Sequence, residues 1–120
     1  MPFRFESLQI WHQARAFSEH IHRIAMRFPD QERYSLTSQI RRAGYSVPLN
    51  VAEGSGRDTD QDINRFLSIA VGSVFEVASA SFLALDCGYI DQETHDMLYA
   101  EAQSLAKSIN SFRRTLEVKK

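Results

Sequence analysis

The sequence predicts an all-α, up-down-up-down four-helix bundle, and three observations predict it. Four apolar series recur at spacings of four and three residues, which places the members of each on one helical face. Three punctuated segments separate them, around Pro29, Gly54–Gly56 and Gly88. No strand-like alternation of apolar and polar residues competes, and no internal repeat is evident.

The first helix is expected over about residues 8–28, on Ile10, Ala14, Phe17, Ile21, Ile24 and Phe28. Ser7 can cap it and Pro29 stops it, giving a length of roughly 30 Å at 1.5 Å per residue. The second, over about 34–54, carries Leu36, Ile40, Ala43, Val47 and Val51 up to a stop at Gly54-Ser55-Gly56. Pro48 removes one backbone bond inside it, but the apolar phase continues across. A kink is therefore expected, not two helices. The third, over about 60–87, opens at Thr59 with Asp62 three residues on, in an arrangement like a capping box. Its stripe runs Ile63, Phe66, Ala70, Val74, Val77, Ser81, Leu85, with Ser81 the polar member. The fourth, over about 92–116, carries Leu98, Ala102, Leu105, Ile109, Phe112 and Leu116 before a frayed basic tail. Short loops make successive helices antiparallel neighbours.

A chain of 120 residues suits one domain over 1–120, with a core that needs no staples. Its single cysteine, Cys87, makes an internal disulfide impossible and suggests a reducing compartment, so a cytoplasmic location is expected. The N-terminus has no apolar run resembling a signal peptide. The stretch Ile69–Leu85 is broken by Ser73, Glu76, Ser79 and Ser81, so no membrane partner is expected. Fourteen basic and fifteen acidic residues leave a formal charge of −1, so any nucleic-acid contact must rest on a local patch.

Chemistry-bearing constellations are sparse. The i, i+4 histidine pair of a helical zinc site is missing, and Glu19-His20-Ile21-His22 is an isolated occurrence, so neither a metal nor another cofactor is expected. Cys87 closes a helix beside Asp86, which disfavours a thiolate, and it reads as a small packing residue. No nucleophile elbow, phosphate-cradling glycine loop or dinucleotide fingerprint is present, so no catalytic residue is assigned and the chain does not read as an enzyme.

The informative segment is the second helix. Gln39, Arg42, Ser46, Asn50 and Glu53 fall on one arc that borders the apolar face, where polar groups need partners. Glu76 interrupts the most apolar helix and is expected to pair with Arg42 or Arg41, either as a register-fixing network or as part of a polar cleft. Arg15, Arg23, Arg27, Arg57, Arg65, Arg113 and Arg114, with Lys119 and Lys120, form a candidate basic surface that an oligomer would multiply. Phe75 and Phe82, with Leu83, widen the third helix's stripe, as either a wide core face or a subunit interface.

Several uncommon words now stand in one order. They are Phe5-Glu6-Ser7-Leu8-Gln9-Ile10-Trp11-His12-Gln13-Ala14, Phe28-Pro29, and Tyr34-Ser35-Leu36-Thr37-Ser38-Gln39-Ile40-Arg41-Arg42-Ala43. Ser46-Val47-Pro48-Leu49-Asn50-Val51-Ala52-Glu53-Gly54 follows, then Arg65-Phe66-Leu67, Ala70, Gly72-Ser73, Glu76 and Gly88-Tyr89-Ile90. Together they closely resemble the four-helix-bundle family named for the 23S rRNA intervening-sequence protein. The resemblance implies a ring-shaped homopentamer with no established catalytic activity, its members often encoded within inserted sequences of ribosomal RNA genes. A relative of the same fold, the accessory variability determinant of diversity-generating retroelements, is a basic pentamer that works with a reverse transcriptase and RNA. This sequence departs from it in being slightly acidic. Trp11, Arg41, Arg42, Pro48, Asn50, Glu53, Gly54 and Glu76 match the family pattern.

The function expected is a non-enzymatic oligomeric adaptor or scaffold, partnered by itself and by RNA or a nucleoprotein. The alternative is a small-ligand-binding bundle with a polar cleft around Arg42, Asn50 and Glu53.

Overall fold

The structure is a computed structural model that describes residues 1–118. Four helices follow one another: α1 (Gln9–Ala25), α2 (Leu36–Ser55), α3 (Asp60–Asp86) and α4 (Gln92–Val118). Short 3-10 turns at Arg4–Ser7 and Asp30–Glu32 precede α1 and α2. Each helix packs on the next, α1 and α4 close the bundle along a thinner seam, and the particle measures 46 × 26 × 19 Å. This is the up-down bundle that the four apolar series demand.

The core is where those series meet. Phe17 and Ile21 of α1, Ile40, Val47 and Val51 of α2, Leu67, Val74 and Val77 of α3, and Leu105 and Ile109 of α4 are all fully buried. Burying each large side chain is worth roughly 1.5–3 kcal/mol. By length and composition alone α3 is apolar enough to cross a membrane, with mean hydropathy 1.7 in its best window. Its inward side, however, is committed to α2 and α4.

Helix ends depart from expectation in instructive ways. Ser7 does not cap α1. It lies in the preceding turn and donates to the Arg4 carbonyl at 2.9 Å, while Leu8 occupies the cap position. That turn is held by the Phe3 N–H donating to Glu6 at 2.9 Å. α1 ends at Ala25, before Phe28, because the residue preceding Pro29 is disfavoured in helical conformation. The last turn tightens into i→i+3 bonds from Arg27 and Phe28. α2 runs unbroken through Pro48 and includes Gly54 and Ser55, with Gly56 at the cap. Thr59 caps α3 as expected, accepting from Asp62 N–H at 3.1 Å, but the Asp62 carboxylate turns to Arg65. Gly88, at φ 77°, ends α3 in the left-handed conformation. The N–H groups of Gly88 and Tyr89 there satisfy the carbonyls of Leu85 and Ala84. α4 continues to Val118 instead of fraying after Leu116, and Lys119 and Lys120 lie outside the described residues.

Candidate functional site

The polar arc of α2 does not form one cluster; it divides among three neighbours. Towards α3 it makes a ladder. Gln39 Nε2 donates to Glu76 Oε2 at 2.5 Å, and Ser73 donates to Ser46 Oγ at 2.8 Å. Asn50 then donates to the Ser46 carbonyl and hydroxyl at 2.8 and 2.9 Å. Towards α1, Arg41 donates to the Tyr45 hydroxyl at 3.0 Å, and that hydroxyl also meets His22 Nδ1 at 3.2 Å. At the α2–α3 turn, Glu53 pairs with Arg57 at 2.6 Å, and Asp62 takes Arg65 at 2.9 Å and Arg57 at 3.7 Å.

The expected pairing of Glu76 with Arg42 or Arg41 is therefore corrected: Gln39 holds the carboxylate. Glu76 sits on the exposed rim of α3, not in its core stripe, so water already solvates it and an arginine fork is not required. Arg42 is exposed on the wall of another cavity, with Gln39, Leu83 and Asp86. It lies about 12 Å along the helix from Asn50, at 1.5 Å per residue. With Asn50 and Glu53 both paired inside the chain, Arg42, Asn50 and Glu53 do not converge on a shared cleft.

The arginines of the candidate basic surface are spread and unequal. Arg23, Arg57 and Arg65 are bound to carboxylates of Glu19, Glu53 and Asp62. Arg113 donates to Asn64 and Asn110, and Arg114 to Ser111. Arg15 lies over the Trp11 ring, 5.4 Å from its centroid, and Arg27 is exposed. Neither of these two has a carboxylate partner among the described residues. Among the described residues no group of three or more His, Cys, Asp or Glu is placed to hold a metal ion. Cys87 is exposed at the end of α3, not packed as its small size suggested.

α3 carries the most apolar outward face. Phe75 is 66% exposed, Leu83 53%, Phe82 47% and Ile69 43%. On this face Phe82 still packs on α4, as a wide stripe would, while Phe75 and Leu83 are more than half exposed. Beneath its C-terminal half lies a pair that sequence reasoning missed: fully buried Ser81 shares a 2.7 Å hydrogen bond with buried His95 Nδ1. Phe82 covers His95 with ring centroids 4.3 Å apart, and Tyr99 meets Phe82 edge-on at 5.9 Å. The one sequence signal was the polar Ser81 within an apolar stripe, and nothing local named its partner on α4.

Two turns are tied together by titrating groups. Glu32 accepts from the Ser35 hydroxyl at 2.6 Å, the Tyr89 hydroxyl at 2.7 Å and the Leu36 N–H at 3.2 Å. These bonds, Ser35 foremost, hold its carboxyl below the usual range, and Glu32 in turn raises the Tyr89 phenol. Asp91 is likewise lowered, by Thr94, whose N–H it accepts at 2.8 Å at the start of α4.

Four antiparallel helices with a polar α2–α3 seam and no assembled metal cluster among the described residues define a four-helix-bundle protein of the up-down class. The family model of the 23S rRNA-intervening sequence protein matches residues 6–111, and the chain belongs to that family. A solved relative in fold is a protein of unknown function from the S23 ribosomal protein family of Bacteroides thetaiotaomicron. It superposes with a TM-score of 0.81 at 19% identity, over 87% of this chain and 97% of that one. Comparison with curated proteins finds no match.

Proposed function

We propose that the chain is the protomer of a cytoplasmic, ring-shaped homopentamer that serves as a non-enzymatic adaptor and contacts RNA. The observation that carries this reading is the outward face of α3. Four large apolar side chains, Ile69, Phe75, Phe82 and Leu83, are exposed there on a helix already packed on its inward side. Exposed apolar surface of this kind marks an association surface. A ring would repeat Arg15 and Arg27, which lack carboxylate partners among the described residues, and so build a basic patch from a chain of net charge −1. The lone exposed cysteine suits a reducing compartment.

Sedimentation equilibrium at micromolar concentration tests the assembly. A mass five times that of the chain is expected, and a monomer overturns it. Anisotropy titration of a labelled, structured RNA at about 50 and 200 mM salt tests the contact, with affinity expected to fall steeply as salt rises. Absent or salt-insensitive binding overturns the RNA half and leaves the assembly to stand on its own.

A further inference from the structure

The corner between α1 and α2 holds a cavity of about 550 Å³ walled by Phe28, Asp30, Arg33, Tyr34, Thr37 and Arg41. Two side chains on its wall each carry a polar atom that has no partner and is closed to solvent. Thr37 is 9% exposed and its hydroxyl has no hydrogen bond, and the covered Nε of Arg41 has none either. A buried polar atom with no partner is costly and rare, so two on one cavity wall need an explanation. Neither Arg33 nor Arg41 is ion-paired among the described residues. Asp30 is the one carboxylate on the wall, so two guanidinium groups face a single acid. Arg33 lies over the Tyr34 ring, 5.2 Å from its centroid, and that ring is 85% exposed, leaving apolar surface on which a flat group can stack.

A cavity at the α2–α3 turn also contains two arginines, Arg57 and Arg65, and an Arg57 Nε that makes no hydrogen bond. There, however, Asp58 and Asp62 share the wall, and Glu53 and Asp62 already hold both guanidinium groups. Of the two, only the α1–α2 corner presents guanidinium groups that are not ion-paired among the described residues. Its volume falls within the range of pockets that hold small ligands.

We propose that this cavity binds the phosphoryl group of a nucleotide. Arg33 and Arg41 engage the phosphate oxygens, the base stacks on Tyr34, and the Thr37 hydroxyl, closed to solvent in the unliganded chain, donates to a phosphate oxygen once its side chain turns outward. The phosphate comes either from a free mononucleotide or from the 5′ end of an RNA strand. Only the second source rests on the RNA reading above, so the two can fail separately.

NMR titration of the ¹⁵N-labelled full chain with inorganic phosphate and then AMP tests it. Saturable shifts at the Arg33, Thr37 and Arg41 amides are expected, with AMP tighter than phosphate because of the stacking. Arg33→Gln and Arg41→Gln should each weaken AMP by about tenfold or more. Thr37→Val should weaken AMP while leaving Tm unchanged or higher, an outcome that a purely structural hydroxyl would not give. A 5′-phosphorylated oligoribonucleotide that outcompetes its 5′-hydroxyl twin assigns the site to RNA ends; equal, weak binding of both beside tight AMP assigns it to free nucleotides. No saturable shifts up to about 10 mM of either probe overturns the proposal. A folded Arg33→Gln/Arg41→Gln variant that binds AMP like the parent overturns it as well.

Discussion

Gly54 and Gly56 stand two residues apart and read alike in sequence, as a helix stop, yet they do different things. A Cβ on Gly54 would lie 2.9 Å from Phe66 Cβ and 3.4 Å from the Ile63 carbonyl, so this glycine lets α2 approach α3. Gly56 sits at φ −92°, a conformation open to any residue, and its Cβ would meet only the Glu53 carbonyl at 3.7 Å. Gly54→Ala should therefore lower stability by about 1–3 kcal/mol, and Gly56→Ala should change it by less than about 0.5 kcal/mol. Urea midpoints of the two variants check both values. Ser81 is a second such point. Ser81→Ala strands buried His95 Nδ1 and should cost about 1–3 kcal/mol, even though alanine suits a helix better than serine. A midpoint equal to that of the parent would mean that His95 finds another partner.

Between elements, the decisive contacts join turns that lie far apart in sequence. Glu32, ahead of α2, accepts from Tyr89, just past α3, so the α1–α2 and α3–α4 turns brace each other at one end of the bundle. Glu32 is lowered on folding from an ordinary value of 4.5, so its contribution is fully present above that pH and is lost as pH falls through the folded value. Tyr89 is raised from 10.0, so its share is present below that pH and fades on the alkaline side. The stability gap between the parent and Glu32→Gln should then be constant near neutrality and close as the solution is acidified below about pH 4. Denaturant midpoints measured across that range check this, and a gap that widens in acid would show the tie to be repulsive. Contacts of this kind mark the limit of what the sequence shows. Periodicity located all four helices, because burial acts at every third or fourth position and leaves a repeating trace. Thr59 was legible as a cap because its partner is three residues away. The partners of Glu76, Ser81 and Glu32 were not, since each depends on which sides of two helices face one another. Charge alone favoured an arginine for Glu76, whereas the packing of α2 on α3 brought Gln39.

At the scale of the molecule, closing the ring proposed above imposes a condition that one apolar face cannot meet. A closed ring uses a heterologous interface, in which two different patches of each subunit meet those of its neighbours. The α3 face with Phe75 supplies one. The other candidate is the outward side of α2, where Leu49 is 66% exposed and Tyr45 39%, one turn apart. The ladder of Gln39–Glu76 and Ser46–Ser73 runs between the two faces and keeps them distinct. Each face alone is narrower than the roughly 800 Å² per partner that a stable contact buries, so neighbouring polar residues must complete it. If the proposed pentamer forms, Phe75→Asp and Leu49→Asp should each reduce it from about 70 kDa to single chains of 13.7 kDa, read by light scattering on a sizing column. Mixing the two variants separates a ring from a symmetric dimer. The Phe75→Asp chain keeps its α2 face and the Leu49→Asp chain keeps its α3 face, so one of each can pair and then grow no further. A heterodimer of the two variants is the expected product. A Leu49→Asp chain that still dimerises by itself would show that the α3 face meets its own copy, and two variants that stay monomeric when mixed would show that the α2 and α3 faces do not meet; either result would exclude this ring.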